Sequence, residues 1–287
     1  MPNLFVILQR LIPLYVITQF IHWLARIRIP AVKNILIRRF ISHYRVETNE
    51  LNQHVPDGYL TFNDFFIRDL APGARQIDDS PYSIISPVDG TISAAGTIEK
   101  DRVIQAKNID YSLADLLVTN KTDADYYTNG RFVTIYLAPH NYHRVHAPLS
   151  GYLRAARYVP GSLFSVNDGT VQNYKQLFVG NERLVCNLDT DIGDVTLIFV
   201  GALNVGTINT IWTGDIRPRR KGLIEEIDLS TTYSDLNFNK GSLLGWFNLG
   251  STVILLCPQK TSSNFNAIEW GQSVKMGEEI GKITLKK

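Results

Sequence analysis

VTLIFVGAL (195–203) runs six β-branched, aliphatic and aromatic residues into Gly-Ala-Leu, and three more stretches share its texture. They are RFVTIYLA (131–138), VGTINTIW (205–212) and TVILLC (252–257), each bounded by Gly, Pro, Asn or Asp. Short runs of this kind, without intervening 10–15-residue helical patterns, predict a β-rich body rather than alternating βαβ units. The texture begins near Ser83. Upstream, Pro13 and Pro30 divide an apolar and basic segment into two or three short helices, the last spanning about 31–42, and Thr61 or Asn63 caps a further helix in YLTFNDFFIRDL (59–70). The predicted fold class is α+β: N-terminal amphipathic helices (1–70) on a single β-rich domain (71–287). DLLVTN (115–120) and DADYYTNG (123–130) read as a surface connection.

Two segments repeat a turn-into-strand pattern, SPVDGTISAAGTI (86–98) and APLSGYLRAARYV (147–159), and WGQSVKMGEEIGKI (270–283) alternates turns and short strands in the manner of biotinyl or lipoyl hairpins. Lys275 lacks the flanking pattern of a carrier lysine.

With 287 residues, 45% of them hydrophobic, the chain can bury a large core, and a net charge of +2 gives no reason to expect nucleic acid as a partner. The charge is uneven, however. Residues 1–46 carry Arg10, Arg26, Arg28, Lys33, Arg38, Arg39 and Arg45 and no acid. The apolar stretch 4–25 is interrupted by Gln9, Arg10, Pro13, Gln19 and His22, which suits a helix lying in a membrane interface better than one crossing it. Packing on the protein's own core is the competing use of such helices. Cys186 and Cys257 are too few for a disulfide framework, and no Cys/His spacing resembles a metal site, so no metal is expected.

Three of the six histidines, His140, His143 and His146, lie in APHNYHRVHAP (138–148). Their spacing is not that of a helical HExxH zinc site, which leaves core packing or acid–base work. Acid–base work needs a nucleophile and a group that fixes the imidazole, with a serine and Asp89 of SPVDG as candidates; alone, Asp before Gly is a turn residue. In NLGSTVILLC (248–257) a Gly-Ser step, Gly250–Ser251, stands at the mouth of a strand, where a bulge or turn is the plain explanation.

TFNDFFIR (61–68), SPVDG (86–90), YHRVHAP (142–148), PGSLFSVN (160–167), NER (181–183) and LGST (249–252) occur in an order and spacing that resembles the phosphatidylserine decarboxylase family. The resemblance covers nearly the whole chain. It implies autocatalytic serinolysis of the Gly250–Ser251 bond, giving a β chain (1–250) and an α chain (251–287) that stay associated, with Ser251 becoming a covalent pyruvoyl cofactor. It assigns Asp89, His146 and Ser251 to self-cleavage, with His146 as base and Asp89 as its orienter. Phosphatidylserine would then lose CO2 through a Schiff base to the pyruvoyl group, with His143 as proton donor and Tyr136 and Ser165 as further substrate-site residues. Phe164 is expected in the core. The implied location is the cytoplasmic face of an anionic membrane, held peripherally; a homodimer is compatible with it. A serine hydrolase using Ser251, His146 and Asp89, and a non-catalytic membrane-binding module, are the alternatives.

Overall fold

A computed structural model of the chain describes residue 9 and residues 12–106, 109–203, 207–219, 222–231, 235–259 and 268–283. VGTINTIW falls partly outside them, at residues 205 and 206. The expected α+β class is what forms, with helices leading and strands following.

Leu14–Ala25 is helical behind Pro13, and Pro30–Tyr44 is helical with Pro30 in its first turn, where a missing N–H costs nothing. A short helix, Phe62–Phe66, starts at Thr61, whose hydroxyl accepts the Asp64 N–H at 3.0 Å. The 115–130 region is not a plain connection. It forms helices Leu113–Leu117 and Lys121–Asp125, because Ser112 and Asn120 cap them and Leu113, Leu116 and Leu117 are buried.

The body is a large antiparallel sheet. In spatial order its strands are Glu225–Glu226, Gly151–Val159, Arg183–Thr190, Gly193–Val200, Ser251–Cys257, Arg131–Leu137, Gly90–Thr97 and Ser273–Val274, with Asn237–Phe238 also on Gly151–Val159. Ser251–Cys257 lies in the interior of that sheet, paired on one side with Arg131–Leu137 and on the other with Gly193–Val200, and every one of its residues is buried. This explains its unbroken apolar run: with both faces covered there is no polar side to alternate with. Burial of Val253, Ile254, Leu255 and Leu256 stabilises the fold by roughly 1.5–3 kcal/mol each. Both members of the repeated sequence pattern open strands of this sheet with a glycine. A Cβ at Gly90 would lie 2.5 Å from the Tyr136 carbonyl oxygen, and one at Gly151 2.6 Å from that of Asp189.

A second sheet orders Gly214–Ile216, Ile208–Thr210, Leu243–Phe247 and Arg144–His146. From Leu243–Phe247 of this sheet the chain reaches Ser251–Cys257 of the large one through three residues, Asn248, Leu249 and Gly250. The Phe247 ring meets Phe199 of the large sheet at 5.5 Å. Phe199 is directly opposite Val253, and alternation places Ser251 on the same face as Val253. The Ser251 side chain is therefore on the face turned toward the sheet that carries the histidines.

Candidate active site

Gly250 has φ +29°, and a Cβ built on it would meet nothing within 4 Å. The demand here is torsional: an L side chain is strained in this conformation even where space is free. The preceding Asn248 is clamped from two directions. Its side-chain oxygen accepts from Asn63 Nδ2 at 3.0 Å, its own Nδ2 donates to Thr207 Oγ1, and its N–H donates to the Thr207 carbonyl at 3.1 Å. Thus Asn63, known from sequence only as a capping candidate, holds the crossing that presents the Gly-Ser step.

Ser251 is fully buried and its Oγ has no hydrogen-bond partner. His143 matches it in both respects: it is buried, and Nε2 has no partner, whereas Nδ1–H donates to the Asn141 carbonyl at 2.9 Å. Its ring lies 4.1 Å from that of Phe66. Burial, reinforced by the Arg68 charge, holds the His143 pKa down to about 3, so the imidazole is neutral with a bare lone pair at Nε2. With its one hydrogen directed to a carbonyl, the ring of His143, the expected proton donor, has Nε2 as the nitrogen open to a proton. Arg68 positions this loop by donating to the His140 and Asn141 carbonyls at 2.6 and 3.0 Å.

His146 Nδ1–H donates to the Gly241 carbonyl at 2.8 Å, which leaves Nε2 to accept from the Tyr142 hydroxyl at 3.0 Å. Burial lowers its pKa, with Arg144 adding to the effect and both the Gly241 hydrogen bond and Asp89 opposing it. The expected contact from Asp89 is not made. Arg75 binds Asp89 through Nε at 3.0 Å and through a terminal nitrogen at 2.5 Å, and the Met276 N–H adds a bond at 2.8 Å. The tautomer of His146 is fixed by a backbone carbonyl, and Asp89 acts on it only through its charge.

The small sheet also orders the two histidines along the approach to Ser251. His146 pairs with Leu243, whereas the His143 carbonyl accepts from Phe247 N–H at 3.1 Å, at the end of the strand nearest the crossing. Tyr136 is directly opposite Thr252, so alternation puts its side chain on the face away from Ser251. Ser165 is held through its N–H by Gln9 Oε1 at 2.7 Å. Phe164 is buried in the main core with its ring 4.6 Å from Tyr174. A cleft of about 410 Å³ lies beside the histidine loop, lined in part by Arg68, Arg75, Asp89, Tyr142 and Lys275. Among the described residues no group of three His, Cys, Asp or Glu side chains could hold a metal ion.

Beside this geometry stands a sequence match along nearly the whole chain. A family model described as phosphatidylserine decarboxylase matches residues 62–282, and a second, described as PSD, matches 4–45. The chain belongs to the phosphatidylserine decarboxylase family. Relatives named phosphatidylserine decarboxylase proenzyme include that of Methylococcus capsulatus, 43% identical over 97% of this chain and 96% of its own. Those of Psychrobacter arcticus (43%, over 99% of this chain and 100% of its own) and Saccharophagus degradans (38%, over 98% of each) are similar along their whole length. As a member of the phosphatidylserine decarboxylase family the chain is an enzyme, a decarboxylase of phospholipid synthesis made as a proenzyme.

Sequence reasoning missed Arg75, Asn63, Arg68 and Gly241 as site-forming residues. Asn63 and Arg68 stood inside one of the quoted blocks, TFNDFFIR, which was a usable signal; Arg75 and the Gly241 carbonyl had none.

Proposed function

We propose that the chain cuts itself between Gly250 and Ser251 and that the residue-251 group so formed decarboxylates phosphatidylserine to phosphatidylethanolamine. The observation that carries this reading is the buried, unpartnered Ser251 Oγ directly after a glycine at positive φ. A buried hydroxyl left without a partner costs on the order of 1–3 kcal/mol; Thr134 and Thr252 share that state, and what sets Ser251 apart is the preceding glycine at positive φ and the face it turns toward the sheet that carries the histidines. In self-cleavage Ser251 Oγ attacks the Gly250 carbonyl carbon, the acyl group passes from nitrogen to oxygen, and elimination breaks the Cβ–Oγ bond so that Oγ departs in the Gly250 carboxylate; tautomerisation and addition of water then release the residue-251 nitrogen as ammonia and leave a keto group. His146, in the tautomer set by Gly241, is the base for that step, and Asp89, fixed by Arg75, stabilises the positive charge it acquires. A second assignment has its own support: His143 has the bare nitrogen and is the histidine nearer the crossing, which favours it as base.

The site fits a pyruvoyl group, since the orphaned Ser251 oxygen lies in a dry setting at the strand mouth beside Leu137. Such a group would supply an electrophilic carbonyl that takes up an amine and accepts electrons as CO2 leaves. His143 Nε2 first removes the proton from the substrate ammonium and later returns one to carbon, so the histidine acts as base before it acts as donor. Tyr136 and Ser165 enter this proposal only as flanking residues. The β chain (1–250) and α chain (251–287) stay together because Ser251–Cys257 is hydrogen-bonded on both sides within the large sheet.

The substrate is met at a lipid surface, peripherally, on the cytoplasmic face. Val16, Phe20 and Trp23 are 62%, 58% and 61% exposed on one face of Leu14–Ala25, while Leu14, Thr18 and Ala25 turn inward. An outward-facing apolar stripe in a segment whose exposed cations include Arg28, Arg38 and Arg39 suits an anionic bilayer. Among the described residues no helix is long and apolar enough to cross a membrane. Residues 1–70 would be this landing region and 71–287 the catalytic unit.

Intact mass of the purified protein tests the core of this reading. Two fragments, the smaller one reactive toward carbonyl reagents, are expected; a single active chain would leave the serine hydrolase, and a single inactive chain that still binds anionic vesicles would leave the membrane-binding module.

A further inference from the structure

NER (181–183) contains a buried acid with no part in the chemistry above. Asn181 binds the Phe164 and Gly201 carbonyls, and Arg183 binds the carbonyls of Asp115, Leu116, Val179 and Asn181. These two residues are structural clamps. Glu182 is not: it is fully buried, its Oε2 accepts from the Tyr158 hydroxyl at 2.9 Å, and its Oε1 has no partner.

The register shows where that free oxygen lies. Arg183 pairs with Val200, and Val200 with Thr252. One step further along the same strands the row is Glu182, Gly201, Ser251 and Leu137, with Gly201 N–H donating to the Glu182 carbonyl at 2.9 Å. Directly opposed residues of antiparallel strands project to one face, so Glu182 and Ser251 share theirs, separated by two strand spacings, roughly 9.6 Å. The residue between them has no side chain. A Cβ on Gly201 would stand 2.6 Å from both Glu182 Cγ and Oε1, so the Glu182 side chain already lies across the Gly201 strand toward that of Ser251.

Proton positions agree. Arg219 N–H donates to the Tyr158 oxygen at 3.0 Å, so the phenolic hydrogen goes to Glu182 Oε2. Burial raises the Glu182 pKa to about 8, with Tyr158 and Arg219 opposing the shift, so the acid is protonated at neutral pH and its hydrogen belongs on Oε1. An O–H donor without an acceptor and a hydroxyl without a partner face the same space.

We propose that Glu182 is a positioning residue for the oxygen carried by residue 251, its Oε1 side meeting that oxygen directly or through one water. The inference rests on the reading of Ser251 as the reacting residue. Glu182→Leu is expected to slow self-cleavage about tenfold, the weight of one hydrogen bond, in protein that still melts cooperatively. Glu182→Gln keeps a donor at the same place and is expected to cut within about twofold of the parent rate. A folded Glu182→Leu protein that cuts at the parent rate overturns the proposal, as does Glu182→Gln failing to rescue. A measurement that needs no cleavage stands beside these: the infrared carbonyl band of the Glu182 acid, assigned by its loss in Glu182→Gln. Uncut parent protein carries Oγ at residue 251, cut parent protein carries a water-derived keto oxygen on its Cα, and Ser251→Ala carries neither, so the band differs between parent and Ser251→Ala; an unmoved band refutes the contact. If the parent chain never cuts, the self-cleavage reading fails while the band still decides the role of Glu182.

Discussion

Asp89 and Glu182 are buried acids on opposite flanks of the Ser251 strand, and their surroundings differ. Asp89 receives three hydrogen bonds, two of them from an arginine, whereas Glu182 receives one, from a neutral phenol. Asp89 is paired with a cation, whereas burial beside a neutral donor favours the carboxylic acid form of Glu182. Burial therefore does not set the role of an acid by itself; the donors that accompany it into the interior do.

The comparison can be broken by substitution. The largest expected effect is at the residue between the two acids: Ser251→Ala leaves one intact chain without decarboxylase activity, read by mass and by CO2 release. On the Asp89 flank, Arg75→Ala strands a buried carboxylate and is expected to cost about 3 kcal/mol of stability in urea unfolding, with slower cutting. Glu182→Gln, exchanging a neutral acid for a neutral amide, is expected to change stability by less than about 1 kcal/mol at pH 7. Equal losses at the two sites would erase the distinction.

The histidine flank adds a pH test. His143 titrates near 3 in the native state and near 6.5 when unfolded, so the unfolded chain binds the proton first as pH falls. Its contribution to stability is complete above about pH 6.5 and is lost as pH drops toward 3, about 2 kcal/mol of it by pH 5. His143→Gln should flatten that part of the stability profile. The same variant decides the base: normal cutting with poor decarboxylation keeps His146 in that role, whereas an uncut chain transfers the role to His143. Away from the titrating groups, Asn63→Ala leaves Asn248 short of one partner and is expected to cost about 1–2 kcal/mol, seen as a lower unfolding midpoint.

The β-rich body could be read from TVILLC and VTLIFVGAL because an unbroken apolar run has few other places to go. The helices near 115–125 could not be read as easily, since five-residue helices show little periodicity and their caps, Ser112 and Asn120, resemble loop residues. Ser251, His143 and His146 stood out by residue type and by the resemblance of their motifs. The groups that fix them did not. Gly241 acts through a carbonyl that every residue possesses, and Asn63 meets Asn248 across 185 positions, a separation at which spacing carries no signal.

Gly250 raises a question of handedness. Its φ is positive and the direction a Cβ would take is open. Size is thus not what excludes other residues; chirality is, because the mirror-image torsion is the ordinary one for a D-amino acid. A semisynthetic chain with D-alanine at 250 should keep the backbone path into the sheet, whereas L-alanine should bend it, and any difference in cutting between the two would measure what that path contributes to the reaction.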